Sequence, residues 1–141
     1  MGACMKLQAN GFSYRGEGIL LTGPSGIGKT GLMLEMIRSG GQLVGDDAVV
    51  LHNQSGSLFM TPPDATKGLV ELRGVGVIRL EPAEKILVTM HLCLGHKISE
   101  RLPNAQQVSW LGVGLPSYFL LMDQFAPARL HALVEGQLQA Y

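Results

Sequence analysis

A short stretch near the start of the chain matches a phosphate-binding loop at every required position. Residues 23–30 read Gly-Pro-Ser-Gly-Ile-Gly-Lys-Thr, which fits the pattern G-x-x-x-x-G-K-[ST]. In this pattern the glycines let backbone N–H groups point at phosphate oxygens, the lysine brings a mobile positive charge, and the final hydroxyl ligates Mg²⁺. We therefore predict a nucleoside triphosphate site formed by Gly23, Pro24, Ser25, Gly26, Ile27, Gly28, Lys29 and Thr30.

The sequences on either side of this loop supply the strand and the helix that it needs. Residues 18–22 form a short apolar run typical of a buried strand, and residues 30–38 place their apolar side chains at helical spacing. The N-terminus of that helix adds its dipole to the anion site. Gly40 and Gly41 are predicted to end the helix, because glycine favours this position.

Composition limits the kinds of partner that the chain can attract. Its 141 residues suit one domain, predicted to span residues 1–141, and 46% of them are hydrophobic. Eleven basic and eleven acidic side chains cancel, so no global field favours nucleic acid or an anionic membrane. Cys4 and Cys93 have no metal-ligand spacing and are predicted to be reduced thiols of a cytoplasmic protein. No apolar run is long enough to span a bilayer.

Glycine and proline divide the rest of the chain into short pieces, which favours many strands and few helices. The predicted fold class is an α/β domain with a mixed or antiparallel sheet and not a large parallel ATPase core. A C-terminal helix is predicted over residues 127–140, with Leu130 and Leu138 on its apolar face. The strands are predicted at residues 5–14, 18–22, 42–45 continuing through 48–52, 58–60, 85–94, 107–111 and 118–122.

Two acidic residues, Asp46 and Asp47, follow the next apolar strand after the loop. In nucleotide-binding folds an acidic residue at this place holds Mg²⁺ directly or through water. A pair allows one carboxylate to sit on the metal while the other accepts a proton from an attacking hydroxyl. The residues alone also allow a solvated acidic turn.

Three further charged residues are candidates for the same site. Glu71 and Arg73 lie two apart in a glycine-punctuated segment, so on a strand they would face the same side and serve metal and phosphate. A surface ion pair fits this spacing equally well. Arg101 can serve a transferring phosphate, although locally it is only a basic residue in a loop. The four histidines show no ligand spacing and are predicted to be structural.

Together these segments resemble the catalytic domain of bacterial HPr kinase/phosphorylase. The resemblance rests on the phosphate loop, residues 43–47, Pro62-Pro63 and residues 69–78, where Glu-x-Arg-Gly-x-Gly resembles the family's signature. It covers most of residues 8–103 and is closest to the short alphaproteobacterial form, which lacks a separate N-terminal domain. The resemblance implies a P-loop kinase fold of the type shared with phosphoenolpyruvate carboxykinase, forming a single ATP-binding catalytic domain.

The resemblance also implies an activity and its cofactors. Such enzymes use ATP and Mg²⁺ to phosphorylate a serine of HPr, a small phosphocarrier protein of the phosphotransferase system. The implied partners are therefore an HPr-like carrier and further copies of the chain, since relatives form hexamers, with no nucleic acid and no membrane.

The resemblance assigns roles to individual residues as well. The implied catalytic residues are Lys29, Arg101 and one of Asp46 and Asp47 as general base. The implied metal ligands are Thr30, Asp47 and Glu71. Arg73 lies inside the signature and is counted with the nucleotide-binding loop.

Two departures from the family pattern concern the reverse reaction. Gln8 stands where the family has a histidine, and glutamine cannot carry a proton at neutral pH. The residues after Pro116 lack the basic, glycine-containing loop that is linked to phosphorolysis. The sequence thus supports the kinase more than the phosphorylase. It leaves two alternatives open, a kinase for a small molecule and an ATP-sensing module with little turnover.

Overall fold

The computed structural model describes residues 3–98, 106–136 and 138–139 of the chain. Arg101 lies outside these ranges. Within them the chain forms twelve strands, two α-helices and one short 3-10 helix at Asp64–Thr66. The elements are β1 Cys4–Leu7, β2 Asn10–Tyr14, β3 Glu17–Thr22, α1 Lys29–Arg38, β4 Gln42–Gly45, β5 Val49–Gln54, β6 Ser57–Thr61, β7 Leu69–Leu72, β8 Gly76–Arg79, β9 Ile86–Leu87, β10 Met90–Gly95, β11 Gln106–Trp110, β12 Val113–Leu121 and α2 Ala126–Glu135.

The strands form two main sheets and one hairpin. The larger sheet has the order β11-β12-β10-β3-β2-β4, and the second has the order β1-β5-β6-β9. In the larger sheet β3, β10 and β12 are parallel, whereas β2, β4 and β11 run antiparallel to their neighbours. The predicted mixed sheet with few helices is confirmed. The phosphate loop leaves the carboxyl end of β3, the edge at which open α/β sheets place their ligands.

The larger sheet is buried on both faces, and the side chains of β3 show this directly. Ile19 and Leu21 pack with α1 and α2 in one core cluster, while Leu20 packs with the second sheet in another. Alternate residues of a strand point to opposite faces, so the continuous apolar run Ile-Leu-Leu serves both clusters. The molecule is thus layered as helices, larger sheet and second sheet.

Three runs that the sequence presents as single strands are each divided between two structures. Residues 5–14 form β1 in the second sheet and β2 in the larger one, and residues 42–52 divide in the same way between β4 and β5. Residues 85–94 divide between β9 and β10. These predictions of continuous strands were wrong, because apolar alternation does not show where a chain passes from one layer to the next. The hairpin of β5 and β6 is confirmed.

Both helices occur near their predicted positions. Helix α1 ends as expected, because Gly40 has a φ of 108° and the Gly41 N–H donates to the Met36 carbonyl at 2.9 Å. Helix α2 ends at Glu135, earlier than predicted, and Leu138 beyond it is 66% exposed. Among the described residues, no helix has the length and apolarity to cross a membrane.

The shortened α2 gives a stability test with a matched control. Leu130 is fully buried between the helices and the larger sheet, so Leu130→Ala is expected to lower the free energy of unfolding by about 2–5 kcal/mol. Leu138→Ala should change it by less than about 0.5 kcal/mol, because the side chain is exposed. Urea titration measures both values. Equal losses of stability in the two variants would contradict the end of α2 at Glu135.

Candidate functional site

The phosphate loop has the backbone geometry that its sequence predicts. Gly23, Gly26 and Gly28 have φ angles of 157°, 83° and 108°, in the range that favours glycine. A Cβ at Gly23 would lie 2.9 Å from the Leu94 carbonyl oxygen, so no larger residue fits there. No side chain caps the N-terminus of α1 at Gly28. The first N–H groups of the helix are therefore available to an anion.

The ammonium group of Lys29 lies against this loop. Its Nζ donates to the carbonyl oxygens of Gly23 at 2.8 Å and Pro24 at 3.2 Å. These contacts hold the ammonium group against the backbone of the loop. Ile27 is buried in the core, and neither Ile27 nor Pro24 lines the cavity described below.

The acidic pair is adjacent to the loop, as predicted. Thr30 Oγ1 donates to Asp46 Oδ1 at 2.7 Å. Asp46 Oδ1 also accepts from Asn10 Nδ2 at 2.8 Å. The other carboxylate oxygen, Asp46 Oδ2, accepts from the Glu71 N–H at 3.2 Å. Asp46 is thus half-buried and bonded to three separate segments of the chain.

Asp47 has a different environment from its neighbour. Its side chain is exposed, and its backbone adopts a left-handed conformation with a φ of 66°. The Asp47 N–H donates to Asn10 Oδ1 at 3.3 Å. Two carboxylates that are adjacent in sequence are therefore held differently, one by hydrogen bonds and one open to the solvent.

Glu71 and Arg73 are also at the site, but only one of them lies on a strand. Strand β7 ends at Leu72, and the turn that leads to β8 is closed by the Val75 N–H, which donates to the Leu72 carbonyl at 2.9 Å. Arg73 lies in that turn. The prediction that both residues share the face of one strand was wrong, because the glycines after Arg73 favour the reversal of the chain.

One cavity of about 920 Å³ brings most of the predicted residues together. Its volume lies in the range of small-molecule sites. Three carboxylates and two basic side chains line it, together with Gln8 and Asn10. The lining residues are Gln8, Asn10, Thr22, Gly23, Ser25, Gly26, Gly28, Lys29, Thr30, Gly31, Leu34, Asp46, Asp47, Glu71, Leu72, Arg73 and Val75.

Two features of this site could not be predicted from the sequence. Asn10 contacts both aspartates, yet a single asparagine at the start of a strand has no diagnostic spacing. A hydrogen-bonded chain also starts at Thr22, which lines the cavity. Thr22 Oγ1 meets His91 Nε2 at 2.7 Å, and His91 Nδ1 meets Ser117 Oγ at 2.7 Å. Burial lowers the pKa of His91. Burial thus favours the neutral imidazole between the two hydroxyls.

A complete phosphate loop at the end of a parallel strand, with carboxylates on the same cavity, defines the class of P-loop α/β domains. The sequence model of one family, described as the HPr Serine kinase C-terminal domain, matches residues 6–116. The chain belongs to this family, which confirms the resemblance seen in the sequence.

Individual relatives agree with this assignment. The chain is 48% identical to the HPr kinase/phosphorylase of Clostridium botulinum (strain Eklund 17B / Type B) over 63 residues, which are 45% of this chain and 21% of that protein. It is 42% identical to the HPr kinase/phosphorylase of Lachnoclostridium phytofermentans over 89 residues, 60% of this chain and 29% of that protein. The chain thus spans less than a third of the length of these relatives.

A solved structure shows the same fold. It is described as the Hpr(Ser) kinase/phosphatase from Coxiella burnetii and superposes with a TM-score of 0.84 at 24% identity. The match covers 93% of this chain and 94% of that chain. The predicted fold type is therefore confirmed over nearly the whole chain.

The buried His91 predicts how stability depends on pH. Because burial lowers the pKa of His91 from its ordinary 6.5, the unfolded chain takes up this proton at a higher pH than the folded protein does. The contribution to stability is complete above the ordinary pKa and is lost as the pH falls from there toward the lowered pKa. The His91→Gln variant should lose less stability between about pH 7.5 and about pH 5.5, as measured by urea unfolding. Equal losses in both proteins would contradict this.

Proposed function

We propose that the protein is an ATP- and Mg²⁺-dependent kinase that phosphorylates a serine of HPr or of an HPr-like phosphocarrier. Family membership supports the reaction class. The observation that carries the proposal is the 2.7 Å contact between Thr30 and Asp46, with Asp47 exposed on the same cavity. A phosphate loop alone indicates only nucleotide binding. A carboxylate beside the loop's hydroxyl adds a second oxygen ligand for the Mg²⁺ that phosphoryl transfer requires.

The residues at this position fit a magnesium ion. Mg²⁺ prefers oxygen ligands and is usually held by one or two carboxylates together with substrate phosphates. Thr30 and Asp46 offer a hydroxyl and a carboxylate in contact, and Glu71 lines the same cavity. The described part of the chain has no group of three His, Cys, Asp or Glu side chains that could hold a metal ion. The ion would therefore also need the phosphates of the nucleotide as ligands. When bound, the ion neutralises charge on the nucleotide phosphates.

The different environments of the two aspartates suggest different roles. The resemblance implies Asp47 as a metal ligand, but we assign Asp46 to the metal because it already contacts Thr30. We assign Asp47 to the general base because its side chain is exposed on the cavity. Lys29 stabilises charge on the terminal phosphates, and Arg73 contacts a phosphate or the acceptor. Arg101 keeps the catalytic role that the family resemblance implies.

The proposed transfer follows from these positions. The serine hydroxyl attacks the γ-phosphorus in line, its oxygen forms the new P–O bond, and its proton passes to Asp47. The bond from the γ-phosphorus to the bridging oxygen breaks, which releases ADP. Since the transition state is loose, positioning and charge stabilisation carry most of the rate. Gln8 lines the cavity but cannot carry a proton at neutral pH, so the proposal is made for the kinase direction of the reaction.

The two aspartates can be separated by conservative substitution. We expect Asp47→Asn to lower kcat by about 10²–10⁴-fold with little change in the KM for ATP, because the base acts only in the transfer step. Asp46→Asn should instead raise the Mg²⁺ concentration needed for half-maximal rate. The control is Asp64→Asn, which changes an exposed carboxylate in the 3-10 helix. Retention of the wild-type kcat by Asp47→Asn would rule out Asp47 as the base.

A single incubation tests the activity itself. Purified carrier, ATP, Mg²⁺ and the protein should give a carrier heavier by one phosphate, mapped to serine by mass spectrometry. An ATP-sensing module, which Gln8 favours because the position lacks a proton carrier, would bind ATP without turnover. A small-molecule kinase would phosphorylate a metabolite with no protein acceptor present. Either result would replace the proposed function.

A further inference from the structure

Asn10 connects the acidic pair to the body of the protein. It begins β2, is 1% exposed and lines the cavity. Its Nδ2 lies 2.8 Å from Asp46 Oδ1 and 3.7 Å from Met33 Sδ on helix α1. Its Oδ1 accepts from the Asp47 N–H at 3.3 Å. One buried side chain therefore contacts both aspartates and the helix of the phosphate loop.

The neighbours of this amide determine which way it points. The carboxylate oxygen of Asp46 only accepts hydrogen bonds, and the backbone N–H of Asp47 only donates. A flipped amide would set oxygen against oxygen and nitrogen against nitrogen. Asparagine supplies the donor and the acceptor at the required spacing, whereas aspartate lacks the donor and leucine lacks both.

The same amide also bonds to the backbone of Asp47. Its φ of 66° is in the left-handed region, which residues other than glycine seldom occupy. The hydrogen bond from the Asp47 N–H to Asn10 holds the turn from within the core. The same amide fixes the Asp46 oxygen that receives the Thr30 hydroxyl.

We propose that Asn10 is a positioning residue, which sets both carboxylates relative to Thr30 and so determines how well the site accepts Mg²⁺ with a nucleotide. This inference rests on the proposed function for its metal and nucleotide. Residues that orient metal ligands from behind typically change metal affinity or activity by about 10–100-fold when they are replaced. We expect a change of that size for Asn10.

Two variants of Asn10 and one control test this role. Asn10→Ala removes the amide, and Asn10→Leu removes its hydrogen bonds while keeping the number and branching of its side-chain heavy atoms. The control is Asn53→Ala, because Asn53 also donates from Nδ2, to the Leu111 carbonyl at 2.8 Å, and accepts at Oδ1 from the Gly56 N–H at 3.0 Å. Asn53 lies on β5 of the second sheet, away from the cavity residues.

The primary measurement is binding of a fluorescent ATP analogue as Mg²⁺ is titrated, at a temperature where every variant is folded. The Mg²⁺ midpoint should rise by about 10–100-fold in both Asn10 variants, with unchanged affinity for the metal-free nucleotide. The midpoint of Asn53→Ala should match the wild type. If Asn10→Ala does not fold, Asn10→Leu decides alone. Wild-type Mg²⁺ midpoints in the folded Asn10 variants would overturn the proposal.

A second measurement separates this inference from the proposed function. Phosphotransfer to the carrier should show a lower kcat in the Asn10 variants at sub-saturating Mg²⁺, restored in part by excess Mg²⁺. If the wild-type protein transfers no phosphate but the Mg²⁺ midpoints still shift, the kinase assignment fails and the role of Asn10 stands. If transfer occurs and the midpoints do not shift, the kinase assignment stands and the role of Asn10 fails.

Discussion

The site depends on the hydrogen bonds that the Asp46 carboxylate accepts. This carboxylate accepts hydrogen bonds from the Thr30 hydroxyl, the Asn10 amide and the Glu71 N–H, which belong to α1, β2 and β7. Hydrogen bonds to an ionised acceptor are shorter and stronger than neutral ones, and this carboxylate is half-buried. One anion thereby joins the phosphate loop, the larger sheet and the separate hairpin. The hairpin is marginally stable alone, and apolar packing holds it as well, because Val70 is fully buried in the core cluster that contains α1.

Asp47 shows how adjacent residues acquire opposite environments. The left-handed turn at this residue redirects the chain from the larger sheet to the second one. Asp46 therefore stays in the hydrogen-bonded interior, while Asp47 is left at the solvent-exposed side of the cavity. Glu71 and Arg73 also line the cavity and are exposed. Three charged side chains of the cavity are therefore open to the solvent.

The parts of the site that the sequence predicts are those with local rules. The loop from Gly23 to Thr30 has a fixed spacing, and its glycines meet steric demands that a pattern can state. The position of Asn10 depends on a contact with Asp46, far away in sequence, so no local pattern reveals it. The predicted strand boundaries were wrong for a related reason. Apolar residues can be buried in either sheet, so the sequence does not show where the chain passes from one sheet to the other. The sequence predicted Arg73 on a strand, but the turn after β7 already includes Arg73 and so begins before Gly74.

The strands next to the phosphate loop are held together by side-chain hydrogen bonds as well as by burial. His91 connects β3 to β12 through Thr22 and Ser117, and its ring also meets Trp110 edge to face at 5.1 Å between centroids. Among the described residues, no buried side-chain nitrogen or oxygen lacks a partner. A buried polar network that is fully satisfied makes one arrangement much more favourable than its competitors. The strand that carries the loop is therefore held in place by hydrogen bonds as well as by packing. The proposed transfer requires such a fixed loop, because a loose transition state is stabilised by groups already in place before the acceptor arrives.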